Sequence, residues 1–352
     1  MPTYNLTVPN KNGSYDGDMV VRHYTSLTIS AGNILTTDQP CRGLLIYVQG
    51  NCTISGTLSM TARGAAANPS VAGASDSNIV DSNGLRFPFF AASGADTITT
   101  TASLLNGCGT LARTAISNHK SLSSNGTVIS VPRVGGSGAG SAYSSSNTDG
   151  GTGGTLANGT GGGASGGTRN GYSGAGSAGT CFSGGSGGGG QHYSGTDGFN
   201  SAANCSAEAY GGAGGKGYNG VGVNEGNGGG AGNPGGLGAY NPTATLGNST
   251  VNKGSDGTGG LLVLIVGGNL TINSGGIIEA RGSTGGTGDA SWAAYSGGGG
   301  SGGGRIILAY RGTYTNNGSV TVAGGAGGGH KAWTSSNGGT GGAGSISTSQ
   351  IK

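Results

Sequence analysis

Residues 261–282 read LLVLIVGGNLTINSGGIIEARG, and no other stretch constrains the fold as much. A six-residue apolar run meets a Gly-Gly-Asn turn, after which Leu270, Ile272 and Ile277 alternate with small polar residues. Period-two alternation bounded by glycine and asparagine signals strand, turn, strand. The apolar run is too short for a membrane helix and has the length of a strand buried on both faces. The same arrangement returns at residues 44–64, LLIYVQGNCTISGTLSMTARG, and at residues 305–325, RIILAYRGTYTNNGSVTVAGG. Two of these copies close on Ala-Arg-Gly, and residues 27–35, LTISAGNIL, are a fainter fourth copy. Short recurrent strands of this kind predict a chain wound in coils, each burying its face on the next. The expected fold is all-β, with a β-solenoid or sandwich-like scaffold.

The copies are unevenly spaced because glycine-rich excursions follow them. Glycine accounts for 86 of 352 residues, about a quarter, against a usual ~7%. Charged residues are only 8%, so the charge that marks ordinary disorder is missing. No strict Gly-X-Y period with proline occurs, which removes collagen. Residues 135–260 carry the longest series of glycine runs, punctuated by Tyr143, Tyr172, Phe182, Tyr193, Phe199, Tyr210, Tyr218 and Tyr240. A solvated linker has no need of such rings, and a structureless loop of that length is uncommon in a compact protein. The ordered alternative is a bundle of extended polyglycine II helices, with three residues per turn and no internal hydrogen bonds. Their N–H and C=O groups must then bond to neighbouring segments. Only dense bonding of that kind offsets the large conformational entropy that glycine loses. Residues 283–300 and 324–345 repeat the scheme.

Four regions follow from these shifts. Residues 1–64 hold N-terminal strands and the first coil, with Pro2 and Pro9 marking the first strand as an edge. Residues 65–134 form an insertion with an aromatic cluster, Phe87, Phe89 and Phe90, read as local core or as an oligomer contact. Residues 135–260 are the glycine-rich region, and 261–352 hold the second and third coils with their glycine-rich loops.

The runs GGSGAG, GGGASGG, GGSGGGG, GGAGGKG, GNGGGAG and GGAGGGH, each followed by a short polar or aromatic loop, resemble those of glycine-rich bacteriophage tail-fibre adhesins. The likeness extends more broadly to glycine-rich phage virion structural proteins and covers roughly residues 135–345. It implies a sandwich of polyglycine II helices whose intervening loops touch a host receptor, a polysaccharide or an outer-membrane protein. It also implies a virion location, other virion proteins as partners, and a homo-oligomer, a trimer by analogy with phage fibres. The coils at 44–64, 261–282 and 305–325 are not part of that adhesin pattern, so a head fibre, capsid decoration or neck protein remains an alternative. The receptor-contact candidates pair rings with hydrogen-bonding groups: Arg169 with Tyr172, His192 with Tyr193, Trp292 with Tyr295, and His330 with Trp333. Rings offer large rigid contact area at low entropic cost.

Other classes find little support. A net charge of +3 with scattered basic residues lacks the basic stripe of a nucleic-acid protein. Residues 1–18 show neither a basic nor an apolar signal-peptide region, and no segment is long and apolar enough to insert in a membrane. The five cysteines are odd in number and without CxxC spacing, so they are read as buried free thiols. A polysaccharide-cleaving tailspike would need two carboxylates close together, but the acids are sparse and out of repeat register. Glu279, set against Thr61 and Val322 of the other coils, is read as a surface position. Residues 285–289, GGTGD, miss the calcium-binding nonapeptide by one position, and the four histidines are isolated. No catalytic residue, metal or cofactor is expected. Arg63 and Arg281 are read as structural, bonding carbonyls where the chain leaves the coil.

Overall fold

The computed structural model describes residues 2–11, 17, 19–64, 139, 143–156, 159–172, 176, 179, 183–185, 187–188, 257–286, 297–329 and 337–351. These residues contain sixteen strands and no helix, as expected of an all-β chain. An edge strand, β1 (Thr3–Leu6), opens the series. The faint copy supplies β3 (Leu27–Ile29) and β4 (Ile34–Thr37), and β2 (Val20–Tyr24) precedes it. The next supplies β5 (Leu44–Val48), β6 (Cys52–Ile54) and β7 (Thr57–Ser59). A separate antiparallel pair joins β8 (Tyr143–Thr148) to β9 (Thr168–Tyr172). The two later copies supply β10 (Leu261–Val266), β11 (Leu270–Ile272) and β12 (Ile277–Glu279), then β13 (Arg305–Tyr310), β14 (Tyr314–Asn316) and β15 (Ser319–Thr321). The last strand is β16 (Ser345–Gln350).

Corresponding strands of successive copies lie side by side. The first sheet runs β2-β5-β10-β13-β16, the second β3-β6-β11-β14 and the third β1-β4-β7-β12-β15. Every pairing in these three sheets is parallel. Period-two alternation therefore stacks like on like. Val20, Leu44, Leu262 and Ile306 are in register, as are Ile29, Ile54 and Ile272, and Leu35, Leu58 and Ile278. All belong to one hydrophobic core. In β10 the alternate residues Leu261 and Val263 are buried too, so this strand is covered on both faces as its continuous apolar run requires. The Gly-Asn turns stack as well. Asn51 Oδ1 accepts the Asn269 N–H at 2.9 Å, and Asn269 Oδ1 accepts the Thr313 N–H at 2.8 Å. Gly32 and Gly275 have φ of +79° and +81°, a left-handed turn geometry that disfavours any side chain.

The register corrects two readings. Glu279 lies beside Ser59 and Thr321, not Thr61 and Val322. It is half-buried, accepts a hydrogen bond from Ser59 Oγ at 2.9 Å and pairs with Arg281 at 3.2 Å. The two Ala-Arg-Gly triplets are offset by two residues, because Met60 N–H donates to Glu279 O and Ala62 N–H to Arg281 O. Arg63 does bind a carbonyl, Thr37 O at 2.9 Å, whereas Arg281 binds a carboxylate. The resemblance between the triplets is local sequence, not equivalent position.

All the excursions leave from the third sheet and return to the first. Apart from β8, β9 and isolated bridges, their described segments form no strand ladders and bond to several neighbours at once. In residues 297–304, seven consecutive N–H groups from Gly298 to Gly304 donate in turn to Gly286, Gly188, Gly339, Ser283, Gly185, Gly342 and Ala280 at 2.6–3.0 Å. The acceptors rotate with a period of three among three neighbouring segments. The carbonyls of the same stretch accept from three others: Gly325 and Gly328; Gly161, Ala164 and Gly167; and Gly259. Six neighbours thus surround one segment. A Cβ added at Gly300 would lie 2.0 Å from Gly325 O, and one at Gly302 2.0 Å from Gly161 O. Of the glycines in these segments, Gly257 alone has a positive φ, so the requirement is for closeness, not for unusual dihedrals. The outer segments show the same period in sequence, as Gly-Gly-X: Thr340 and Ala343, Ala323 and Ala326, and Thr152 and Thr155 are the exposed third residues. Buried non-glycine positions are small and hydrogen-bonded, as with Ser301 Oγ, which accepts the Ser283 N–H at 2.7 Å.

Two outcomes follow. Gly300→Ala is expected to destabilise by about 1–3 kcal/mol or more through overpacking against backbone, while Ala326→Ser stays within about 0.5 kcal/mol. Thermal denaturation of the two variants compares them. Cys52 is buried among apolar side chains, and desolvation pushes its thiol up to about 12. It should therefore resist a thiol reagent at pH 8 until the chain is unfolded, and mass spectrometry of the native, labelled protein reads this directly.

Candidate functional site

The glycine segments end at a common level away from the sheets. Gly167 N–H donates to Gly297 O at 3.0 Å, Gly298 N–H to Gly286 O at 2.8 Å, and Gly328 N–H to Gly298 O at 2.8 Å. Gly338 N–H donates to Gly328 O and Gly150 N–H to Asn337 O, both at 2.9 Å. Asp149 Oδ1 accepts the Asn337 N–H at 2.8 Å and closes this level at its rim. Gly286 with Gly297 and Gly329 with Asn337 are thus the feet of two connections at one end of the bundle, where β8 also enters the bundle at Thr148 and β9 leaves it at Thr168, the chain between them running through the bundle. At the opposite end, Gly304 N–H donates to Ala280 O and Gly344 N–H to Val322 O, where the chain joins the sheets.

The paired strands β8 and β9 stand at this same end, and β9 carries two of the contact candidates. Tyr172 pairs with Tyr143 and Arg169 with Asn147, with an irregularity between Ser144 and Asn147. An antiparallel pair at this point is not the extended glycine segment that the sequence suggests, because residues 143–148 (YSSSNT) carry no glycine and suit a pleated strand. Trp292, Tyr295, His330 and Trp333 belong to the two connections and lie outside the described residues, as do His192, Tyr193, Phe87, Phe89 and Phe90. The structure therefore brings together the starting points of two candidate loops and the β8–β9 pair, although they are distant in sequence.

A second surface was not legible in the sequence. His23 and Tyr47, paired across β2 and β5, stack with centroids 4.9 Å apart and planes 10° from parallel. They border a groove of about 520 Å³ lined also by Thr25, Gln49, Ile265 and Gly267. Burial raises the Tyr47 phenol, which keeps it a neutral hydrogen-bond donor. Only strand register makes neighbours of residues 24 positions apart, so no local pattern marks this pair.

The carboxylates among the described residues serve the architecture. Asp38 accepts from Lys11 Nζ at 2.8 Å and from the Val8 N–H at 3.1 Å, Asp149 holds Asn337, and Glu279 holds Ser59 and Arg281. No group of three or more His, Cys, Asp or Glu side chains suited to a metal occurs among the described residues. No helix there is long and apolar enough to cross a membrane. Cys41 and Cys52 are buried free thiols, as the sequence suggests. Comparison with protein-family models, curated proteins and solved structures finds no match for this chain.

Because each N–H in the central segment meets a carbonyl, its amides are expected to exchange slowly with solvent. Hydrogen exchange should show residues 298–304 protected to nearly the level of β10. Exchange at the rate of an unstructured peptide would rule out a rigid platform beneath the loops.

Proposed function

We propose that this protein is a non-enzymatic bacteriophage appendage that attaches the particle to the host cell surface. In this reading the three parallel sheets are a short β-solenoid, and the hydrogen-bonded glycine segments are a polyglycine II bundle carried on one corner of it. The observation that supports it best is the common level at which Gly286, Gly297, Gly329, Asn337, Thr148 and Thr168 end. Two loops, one with Trp292 and Tyr295 and one with His330 and Trp333, then start from one face, where β9 carries Arg169 and Tyr172. A rigid base lowers the ordering cost of binding, so a few rings can supply most of the affinity. His192 and Tyr193 follow Gly188, whose carbonyl accepts from Gly299 within the same bundle. The receptor is a surface polysaccharide or an outer-membrane protein, and the particle side is another virion protein.

The period-three donor pattern supports the polyglycine II reading, since that helix has three residues per turn. Like-on-like stacking of successive copies supports the solenoid. A decoration or head-fibre role shares this architecture and differs only in whether the loops bind a receptor. Trimer formation through Phe87, Phe89 and Phe90 once copies are gathered on the particle would multiply weak contacts into avidity.

Replacing both Trp292 and Trp333 by alanine should lower adsorption of particles to host cells by at least about tenfold, with particle yield unchanged. Tyr47→Ala, on the groove beside the first sheet, is the control and should adsorb normally. Normal adsorption by the double variant would remove the loops from attachment and leave a structural role.

A further inference from the structure

The core columns run out into solvent at both ends of the stack. Tyr4 of β1 continues the interior column of Leu35, Leu58, Ile278 and Val320, and is 56% exposed. Ile346 of β16 continues the column of Val20, Leu44, Leu262 and Ile306, and is 41% exposed. They are two of the three large hydrophobic residues exposed among the described residues. Each is exposed because nothing described lies on the next layer of its column.

The two ends are also stepped in complementary ways. At one end the third sheet projects by a strand, β1, beyond β2 and β3; at the other the first sheet projects by a strand, β16, beyond β14 and β15. We propose that copies of this chain join end to end, the β14–β15–β16 end of one copy seating on the β1–β2–β3 end of the next. In that joint β16 of one copy pairs with β2 of the next, and β15 pairs with β1. Both pairs are parallel, like every other pair in the three sheets, whereas joining two like ends would force antiparallel pairing. Ile346 then covers Val20 of the next copy, and Tyr4 of that copy covers Val320.

The second sheet has four strands against five in the others, so the joint leaves one layer of it open. A groove of about 330 Å³ occupies that position beneath β3, lined by Tyr4, Leu6, Tyr24, Leu27, Ile29 and Leu35. From the opposite end comes the stacked pair Tyr310 and Tyr314, with centroids 5.4 Å apart. The aromatic pair of one copy suits the apolar groove of the next. Arg22 stands in the column of Ile46 at this end and is held by Val21 O at 2.9 Å and Thr7 O at 3.4 Å. It would meet Thr348 across the joint. Ile351 N–H donates to Tyr310 O at one end of the stack and Pro2 O accepts from the Ile34 N–H at the other, so the two segments flank the joint from its two sides. An uncovered edge strand presents a row of N–H and C=O groups with which a strand of another chain pairs. Because the two surfaces differ, the contact does not close on itself and produces a string.

The test uses the full chain. Sedimentation velocity of the wild type should show species that grow in steps with concentration. Negative-stain images should show linear strings with an axial repeat of about 24 Å, five strand spacings of about 4.8 Å. Tyr4→Lys and Ile346→Lys each place a charge at one end, at an exposed position, and each alone should remain a single copy. Mixed in equal amounts, they have one intact joint between them and should form a species of two copies and nothing larger. The proposal is overturned if the wild type stays a single copy at every concentration, as it would if a different particle protein caps the ends. It is also overturned if either lysine variant assembles like the wild type, or if the mixture yields no two-copy species.

Discussion

A buried backbone amide must find a carbonyl, and in the glycine bundle that demand has to be met between segments and not within them. Successive N–H groups of residues 298–304 turn to three neighbouring segments in rotation, and each finds a carbonyl. Such packing leaves no room for a Cβ: at Gly303 it would lie 1.9 Å from Val322 O. The glycine content is thus a consequence of the distance between segments. Where a segment has an open side, as at Thr340 or Ala326, a side chain returns. Glycine carries the largest entropic cost of ordering, so the bundle depends on something else to fix where each segment begins.

The parallel ladders provide that fixed origin. Each excursion starts from a strand of the third sheet and ends on a strand of the first, and those strands are locked by apolar columns such as Leu44, Leu262 and Ile306. A one-residue slip would turn every core side chain outward, so the ladder holds the glycine segments in phase. The dependence also runs the other way. Gly259, Gly304 and Gly344 bond into the bundle immediately before or beside the strands that they lead into. Residues from 135–260 and from 261–352 share this bundle, as the bond from Gly161 N–H to Gly303 O shows.

A bundle bonded on all sides is stiff without a hydrophobic core of its own. Buried hydroxyls such as Ser183 Oγ and Thr258 Oγ1, 3.0 Å apart, take the place that leucines hold elsewhere. A connection that starts from such a base needs no large apolar platform of its own. The open ends of the sheets are different in kind. There the apolar columns stop because the repeats stop, and the exposed Tyr4 and Ile346 follow from the number of copies.

Much of the fold was legible in the sequence, because period-two alternation and Gly-Asn turns are local. The copies at 44–64, 261–282 and 305–325 correspond to the strands found, and even 27–35 yields β3 and β4. The exposed third residues of the Gly-Gly-X triplets at 337–344 and 322–329 were also there to be read, as a period within the glycine runs. Tertiary structure alone decided which residues stand beside one another. The stacking of His23 on Tyr47, the partnership of Glu279 with Ser59, and the mismatch of the two Ala-Arg-Gly triplets all depend on register between strands far apart in sequence. So does the common level of Gly167, Gly286 and Asn337, since each bond in the bundle joins segments whose sequences are nearly alike. A glycine run states that neighbours must come close. It carries no side chain to say which neighbour, and that choice is made where the strands on either side of the run pair.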